Sequence, residues 1–274
     1  MYFCSMLKNK FFILIGIVCL MAFVSCSKHS QILKSADNEY KYNAAMYYYG
    51  QKDYNKALQL FDVLQAAYRG KPQAEEIAYC TAECYYKMKD YNIASHYYKR
   101  YVVNYPFAKN AESALFRSAC CYYLESPGIE LDQEDSYVAI KEFQSFVDLY
   151  PQSIYVDSAN RLIDTLRNKI IEKDFNVCML YYNMEEFLAA ITSFENFLKD
   201  NPTTIHREEI INYMVLTYAK YAEKSVLEKQ RERYELALEK YNTLIYMYPE
   251  SKYIAELEPV VEEIKLELSN IKTK

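Results

Sequence analysis

The sequence predicts an all-α protein built from repeated helical hairpins, and three observations support this. First, one spacing of four residues recurs five times. An opening residue is followed after three positions by an alanine. An aromatic or other large side chain follows four positions after the alanine, and a large apolar residue follows three positions after that. The five sets are Tyr54, Ala57, Phe61, Leu64; Tyr91, Ala94, Tyr98, Tyr101; Ser136, Ala139, Phe143, Phe146; Phe187, Ala190, Phe194, Phe197; and Tyr234, Ala237, Tyr241, Leu244. Second, a proline follows five residues later in four of the five sets, where it ends a helix. Third, 51% hydrophobic residues and only four glycines suit a helical protein with a core.

This spacing resembles the second helix of the tetratricopeptide repeat. The resemblance implies a first helix with a small residue nine positions before the opening residue and a tyrosine six before it. Matching pairs are Ala45 and Tyr48, Ala82 and Tyr85, and Cys178 and Tyr181. In the third copy Ala119 and Tyr122 lie eight residues too early, which predicts a longer loop over 125–135. The first helix of the fifth copy fits poorly. A single hairpin cannot bury its apolar face alone, so we expect the hairpins to stack into a superhelix.

The repeats are predicted in order along residues 38–274. Their expected bounds are 38–69, 73–106, 107–151, 155–202 and 206–249, followed by a capping helix over 251–274. Ser153 is placed to cap the long first helix of the fourth repeat, and the charged run 228–233 predicts a turn inside the fifth. The last helix carries one apolar stripe of Ile254, Leu257, Val261, Ile264 and Leu268, as a capping helix requires.

The N-terminus has the pattern of an export signal over 1–25. Two lysines precede an apolar run of about fourteen residues, which ends just before Cys26. The residues around Cys26 resemble a bacterial lipobox, with Phe23 where leucine is usual. The resemblance implies that Cys26 becomes the lipidated first residue, carrying palmitate-like acyl chains, and that 26–37 forms a tether. An uncleaved anchor and an ordinary secretory signal are the alternatives. Ser27 and Lys28 favour an outer-membrane protein that faces the periplasm.

Composition and motifs argue against catalysis and nucleic-acid binding. The net charge of −5 is spread along the chain without the basic stripe that phosphates require. No motif of a phosphate loop, metalloprotease or nucleophile elbow occurs, so we predict no enzyme and no cofactor. Adjacent glutamates predict solvated helix faces. The cysteines after Cys26 lack the spacing of a metal site, and we predict that they are buried small side chains; they are Cys80, Cys84, Cys120, Cys121 and Cys178.

The candidate binding face consists of aromatic residues on the first helices. They lie three residues before and four after the small residue of each repeat, so that each pair shares one side of its helix. The first three repeats supply Tyr42, Tyr49, Tyr79, Tyr86, Phe116 and Tyr123, and the fourth supplies Phe175 and Tyr182. The rings could form a groove for an aromatic-rich extended peptide, or they could simply pack hairpins together. The sequence leaves both interpretations open.

A narrower resemblance covers the fourth repeat. Tyr150, Pro151, Ser153, Tyr155, Ala159 and Arg161, then Leu166, Arg167 and Asn168, and further residues up to Pro202 resemble the BamD-like family of outer-membrane assembly lipoproteins. The resemblance implies a lipid-anchored scaffold that binds unfolded outer-membrane proteins, a barrel-inserting outer-membrane protein with periplasmic domains, and other assembly lipoproteins. It implies substrate recognition in the first two repeats.

The same resemblance implies a partner surface in the fourth repeat, with Phe175, Tyr182, Arg161 and Arg167 as its candidate residues. Ser193 stands where some family members place an arginine that contacts the partner. One alternative is a repeat lipoprotein that scaffolds another envelope process, such as cell-wall coordination or glycan uptake. An envelope hydrolase, the other alternative, would need a polar cluster where this chain has aromatics.

The lipobox predicts a modified N-terminus. Replacing the sulfur nucleophile in Cys26→Ala removes the acyl acceptor, so we expect an unprocessed, unlipidated protein. Mass spectrometry of the mature N-terminus of the wild-type chain checks this. An unmodified Cys26, or a mature chain that begins at another residue, would contradict the lipid anchor.

Overall fold

The structure is a computed structural model that describes residues 28–272, so the predicted signal segment and Cys26 lie outside the described residues. Every regular element in that part of the chain is helical, which confirms the all-α prediction. After a helical segment over 28–34 come α1 (Asn38–Gly50), α2 (Tyr54–Ala67), α3 (Gln73–Lys87), α4 (Tyr91–Asn104), α5 (Ala111–Glu125), α6 (Glu134–Leu149), α7 (Val156–Asn183), α8 (Phe187–Asp200), α9 (Arg207–Glu223), α10 (Leu227–Met247) and α11 (Lys252–Lys272). Within residues 28–272 no helix has the length and apolar character to cross a membrane.

Three hairpins close with the same turn. Lys52, Lys89 and Glu185 each adopt a left-handed backbone, with φ of 62°, 67° and 57°. After α1 the Lys52 N–H donates to the Tyr49 carbonyl and the Asp53 N–H donates to the Tyr48 carbonyl. This pair of bonds is the Schellman motif, which satisfies carbonyls at the end of a helix. The same two bonds recur after α3 and at the end of α7, so these turns fix the register between the helices they join.

Helices α1 to α6 and the first part of α7 form one compact unit, which comprises residues up to Pro127 and Gln133–Leu166. The alanines of the repeated spacing, Ala57, Ala94 and Ala139, are all fully buried, as are Phe61 and Phe143 beside them. A small side chain lets two helix backbones approach, and a ring from the next turn fills the space alongside. The predicted seam is therefore present in all three hairpins of this unit.

The second unit comprises Gly128–Asp132 and Arg167–Lys274. Ala190 and Ala237 are again fully buried, and Phe194 packs in the same core cluster. The stripe predicted on the capping helix is buried at three positions: Ile264 belongs to this core cluster, and Leu257 and Val261 belong to a second cluster of the same unit. The spacing of the seam thus holds in both units, each considered alone.

The loop of the third hairpin agrees with the sequence, but the turn of the fifth does not. Between α5 and α6 the chain is non-helical from Ser126 to Gln133, as the longer loop predicts. The turn placed at 228–233 was wrong: these residues form the first turns of α10, and the chain reverses at 224–226. Glutamate, lysine, glutamine and arginine are strong helix formers, and the run contains no glycine or proline to end a helix.

The fully buried Ala190 provides a test of the seam. Ala190→Leu adds volume where Phe194 and Met214 already fill the core, so we expect a loss of about 1–3 kcal/mol in the free energy of unfolding. Chemical denaturation measures it. The matched control is Ala255→Leu on the exposed side of α11, which should stay within about 0.5 kcal/mol. Equal effects of the two substitutions would show that the helix contact does not depend on a small residue.

Candidate functional site

The candidate site is the aromatic face on the first helix of each hairpin. Seven residues separate the two rings of a pair, which places them about 10 Å apart along one side of the helix. All eight rings are partly buried, so none is a core residue and none is fully exposed. Six of them lie in the first unit and two, Phe175 and Tyr182, lie in the second.

In the first hairpin each of the two rings contacts a second tyrosine ring. The Tyr42 ring centroid lies 5.8 Å from that of Tyr68, and the Tyr42 hydroxyl donates to a Glu76 carboxylate oxygen on α3. Tyr49 lies 6.1 Å from Tyr54 on α2. Burial, joined for Tyr42 by the Glu76 carboxylate, raises the pKa of both phenols well above the ordinary value. Both side chains therefore stay neutral hydrogen-bond donors.

The second and third hairpins repeat this arrangement. Tyr79 lies 5.4 Å from Tyr101, and Tyr86 lies 5.6 Å from Tyr91. Phe116 stacks on Tyr155 at 4.8 Å, with 12° between the ring planes. Tyr123 packs in the same core cluster as Phe116. Each ring thus contacts the protein on one side and leaves part of its surface exposed.

Both interpretations of the aromatic face describe part of what the structure shows. The ring contacts within and between hairpins are those expected of packing. The exposed remainder of each ring is what a groove requires. The structure brings the six first-unit rings onto equivalent positions of α1, α3 and α5, but their role in binding stays a prediction.

A buried charge cluster beside these rings was missed by sequence reasoning. Glu83 on α3 is only 4% exposed, and its carboxylate accepts a hydrogen bond of 2.5 Å from the Tyr98 hydroxyl. Arg117 on α5 places its Nη1 atom 3.0 Å from Glu83 Oε1. The guanidinium carbon of Arg117 lies 5.5 Å from the Tyr86 ring centroid, which allows a cation–π contact.

The electrostatics of this cluster favour a permanent ion pair. Burial opposes the charge of Arg117, but the Glu83 carboxylate together with the Tyr98 and Tyr79 phenols outweighs it and raises the pKa of the guanidinium. Burial and the same carboxylate raise the pKa of Tyr98 far above its usual range. Arg117 therefore presents a fixed positive charge next to Tyr86, and about a third of its side chain is exposed. A glutamate directly after the small residue Ala82 was the only sequence signal of this cluster.

The two candidate rings of the second unit are more strongly engaged. Phe175 stacks on His206 at 4.1 Å, with 13° between the planes, and His206 Nε2 lies 2.7 Å from a Glu172 carboxylate oxygen. Tyr182 lies 4.8 Å from Tyr213. These contacts pack α7 against α9, so both rings stabilise the fold in addition to their predicted role in partner binding.

The two arginines predicted for the partner surface both lie on α7 and are exposed, Arg161 in the first unit and Arg167 in the second. Arg161 donates from Nη2 to the Ser158 hydroxyl at 3.0 Å. Ser193 is half-buried, and its hydroxyl lies 3.0 Å from the Cys178 sulfur, so it does not replace an exposed contact residue.

The cysteines have a structural environment. Cys80, Cys84, Cys121 and Cys178 are buried and Cys120 is partly buried, which agrees with the prediction of small core side chains. Burial raises the pKa of the Cys80, Cys84, Cys120 and Cys121 thiols to about 12, so these thiols are protonated and unreactive at neutral pH.

Comparison with known proteins identifies a family. A family model described as "Outer membrane lipoprotein", YfiO, matches residues 34–233 and 181–273. A curated relative, outer membrane protein assembly factor BamD of Vibrio cholerae serotype O1 (strain ATCC 39315 / El Tor Inaba N16961), is 24% identical over 105 residues. That match covers 38% of this chain and 44% of the relative, so the chain spans less than half the length of the curated relative it matches.

A solved structure is also similar in outline. It is the crystal structure of a TPR repeats protein from Bacteroides fragilis NCTC 9343, with a TM-score of 0.40 and 12% sequence identity. The match covers 87% of this chain and 99% of that one. The family model is the comparison that bears on function.

The Glu83–Arg117 pair provides a test of the cluster. Glu83→Gln keeps the shape of the side chain but removes the charge that Arg117 and Tyr98 contact, so we expect a loss of about 1.5–3 kcal/mol in unfolding free energy. Glu76→Gln, two turns earlier on α3 and exposed, is the control and should cost less than about 1 kcal/mol. Thermal and chemical denaturation of both variants measure the difference. A stability loss for Glu76→Gln as large as that for Glu83→Gln would contradict the buried pair.

Proposed function

Because the chain belongs to the YfiO family of outer membrane lipoproteins, we propose that it is a scaffold of the outer-membrane β-barrel assembly machinery. In this proposal it faces the periplasm, is anchored by acyl chains on Cys26, and acts by binding, without chemistry and without a cofactor. It receives unfolded outer-membrane proteins and passes them to a barrel-inserting outer-membrane protein with periplasmic domains. Other assembly lipoproteins are its further partners.

The observation that carries the substrate role is the aromatic face of the first unit. Equivalent positions on three successive first helices are occupied by Tyr42, Tyr49, Tyr79, Tyr86, Phe116 and Tyr123. The first five are held on one side by ring contacts, and Tyr123 packs against the core cluster. A ring that is already held loses little conformational freedom when a ligand covers its exposed side. The face is therefore preorganised for aromatic and apolar side chains.

Polar groups between the rings suit the main chain of an extended peptide. Arg117 is a charged donor. Its contacts with the two oxygens of the Glu83 carboxylate are both made by Nη1. Glu76 is an exposed acceptor beside Tyr42. An unfolded barrel protein has unsatisfied N–H and C=O groups and alternating apolar side chains, so it matches both features.

The partner surface is proposed on the fourth repeat. Its candidate residues are Phe175, Tyr182, Arg161 and Arg167. Support for this part comes from the family resemblance over 150–202 and from the exposure of the two arginines on α7. The structural engagement of Phe175 with His206 and of Tyr182 with Tyr213 means that these rings would contribute through their exposed edges.

The substrate role is tested with Tyr49→Leu and Tyr86→Leu. Leucine retains most of the apolar packing volume but removes the ring, so peptide binding and fold stability are affected separately. The ligand is a fluorescent synthetic peptide copying the last strand of an outer-membrane barrel protein. A central interface ring contributes about 2 kcal/mol or more, so we expect each variant to bind the peptide at least about tenfold more weakly.

Two controls make this test specific. Tyr246→Leu makes the same change at a tyrosine that is 88% exposed on α10, and it should leave peptide affinity unchanged. A peptide with serine in place of each aromatic residue should bind weakly to every variant. If Tyr49→Leu and Tyr86→Leu bind the aromatic peptide like the wild type, the rings serve packing alone and the substrate role fails.

A further inference from the structure

Residues 28–34 form a short helix that packs against the first hairpin. This helix buries Ile32 in the core cluster of that hairpin. His29 is 8% exposed, its Nε2 atom lies 2.9 Å from the Gln59 amide oxygen on α2, and its ring meets the Tyr48 ring edge-on at 5.3 Å. Tyr48 lies in the last turn of α1, next to the turn that leads into α2. The start of the short helix is therefore held at the end of the hairpin where α1 turns into α2.

The proposed lipid anchor is attached close to this point. Cys26 precedes Lys28 by two peptide units of about 3.8 Å each, so the Cα atoms of the two residues are at most about 7.6 Å apart. Acyl chains on Cys26 hold that residue at the membrane surface. Because the helix that begins at Lys28 is packed into the hairpin, the membrane lies beside the turn between α1 and α2.

Basic side chains surround this end of the first two hairpins. α3 runs antiparallel to α2, so its last turn lies at the same end, and Leu58 near the start of α2 lines one surface pocket with Tyr85 near the end of α3. We define the basic rim as Tyr47, which is 63% exposed, and the four exposed lysines at this end, Lys28, Lys52, Lys87 and Lys89.

The lysines of the basic rim have no counter-ion in the part of the chain that the structure describes. Within residues 28–272 none of the four forms an ion pair or a side-chain hydrogen bond. The carboxylate of the first turn, Asp53, pairs with Lys56 at 2.5 Å, and the second turn carries Asp90. The net charge of the whole chain is −5, so the rim is a positive patch on an acidic protein.

Two of these lysines occupy backbone positions that do not favour a lysine. Lys52 and Lys89 have φ of 62° and 67°, a left-handed conformation in which glycine or asparagine is usual. At the equivalent position of the fourth hairpin, Glu185 forms an ion pair with Lys224. Within residues 28–272 neither left-handed lysine has such a partner, so internal contacts do not explain a charge at these positions. An anion outside the protein would explain it.

Charge alone does not decide which end of the first unit faces the membrane. The opposite end carries Arg69, Lys71 and Lys109, and it also carries the fully exposed Phe107. That end lies about 21 Å away, which is the length of the 14-residue α2. The attachment of Cys26 beside the turn between α1 and α2 therefore selects the basic rim.

We propose that the basic rim lies on the phospholipid headgroups of the membrane that holds the anchor. This inference rests on the proposed acylation of Cys26. An acyl anchor and a basic patch reinforce each other at a membrane, and each lysine near an anionic surface adds to the attraction. The Tyr47 ring suits the interface between headgroups and water. Tyr49 and Tyr86 lie in the last turns of α1 and α3, so the aromatic face begins at the lipid surface.

The test measures how close each end of the first unit comes to lipid. The chain contains no tryptophan, so Gln51→Trp places a single indole at the basic rim and Phe107→Trp places one at the opposite end. Each purified lipoprotein, with acylation of Cys26 verified by mass spectrometry, is reconstituted in vesicles of phosphatidylethanolamine and phosphatidylglycerol that contain a headgroup-spin-labelled lipid. We expect at least about threefold stronger quenching for Gln51→Trp than for Phe107→Trp, because about 21 Å of helix separates the two ends.

Paired lysine variants test the role of charge in the Gln51→Trp protein. Lys52→Gln combined with Lys89→Gln removes two rim charges, and we expect quenching to fall at least about twofold, as it should in about 0.5 M salt. Lys71→Gln combined with Lys109→Gln removes the same charge at the opposite end and should leave quenching unchanged. Thermal unfolding verifies that both variants are folded.

The outcomes distinguish the rim from the anchor. A Cys26 without acyl chains would remove the anchor and this inference together. With the acyl chains present, quenching of Phe107→Trp that equals or exceeds that of Gln51→Trp overturns the rim and leaves the anchor intact. Equal quenching in the two lysine variants also overturns it, because the headgroups then do not recognise the rim lysines.

Discussion

The close approach of two helices at a small side chain is the contact on which each hairpin depends. Ala57, Ala94, Ala139, Ala190 and Ala237 are all fully buried, and a ring or large apolar residue lies one turn further on each second helix. A larger residue would push the backbones apart, and the ring beside it would lose its packing partners. Because the same contact recurs in every hairpin, the positions of the outward-facing side chains recur as well.

The turns convert this contact into a fixed register. In three hairpins a non-glycine residue adopts a left-handed backbone, a conformation that costs about 1–2 kcal/mol for most residues. The two hydrogen bonds of the Schellman motif and the packing of the joined helices offset that cost. The turn therefore fixes the positions of the rings on the first helix, along the helix axis, relative to the rings on the second helix. Contacts such as Tyr49 with Tyr54 and Tyr86 with Tyr91, which bracket the turns, follow from this geometry.

The features that could be predicted from the sequence are those that depend on the local spacing of residues. The seam alanines, the longer loop after α5 and the buried stripe of α11 all follow from periodicity and helix-ending residues. The start of α10 was missed because Ser225 and Val226 are weak signals for a turn. The charged run after them resembles a surface loop, but its residues are good helix formers. Glu83 and Arg117 are 34 residues apart, and no local pattern indicates that they pair.

The half-buried state of the aromatic face links the fold to the proposed function. A fully buried ring could stabilise the hairpins but could not contact a ligand, and a fully exposed ring would have to be ordered on binding. The rings at the −3 and +4 positions lie at the rim of the helix contact, so one edge packs against α2, α4 or α6 while the other remains available. Arg117 follows the same rule: Glu83 fixes its charge inside the protein, and a third of the side chain remains exposed beside Tyr86. The repeat therefore builds its binding surface from the residues that flank its own core. Substitutions that keep apolar volume and remove a specific group can accordingly separate binding from stability, whereas alanine substitutions at these positions would change both.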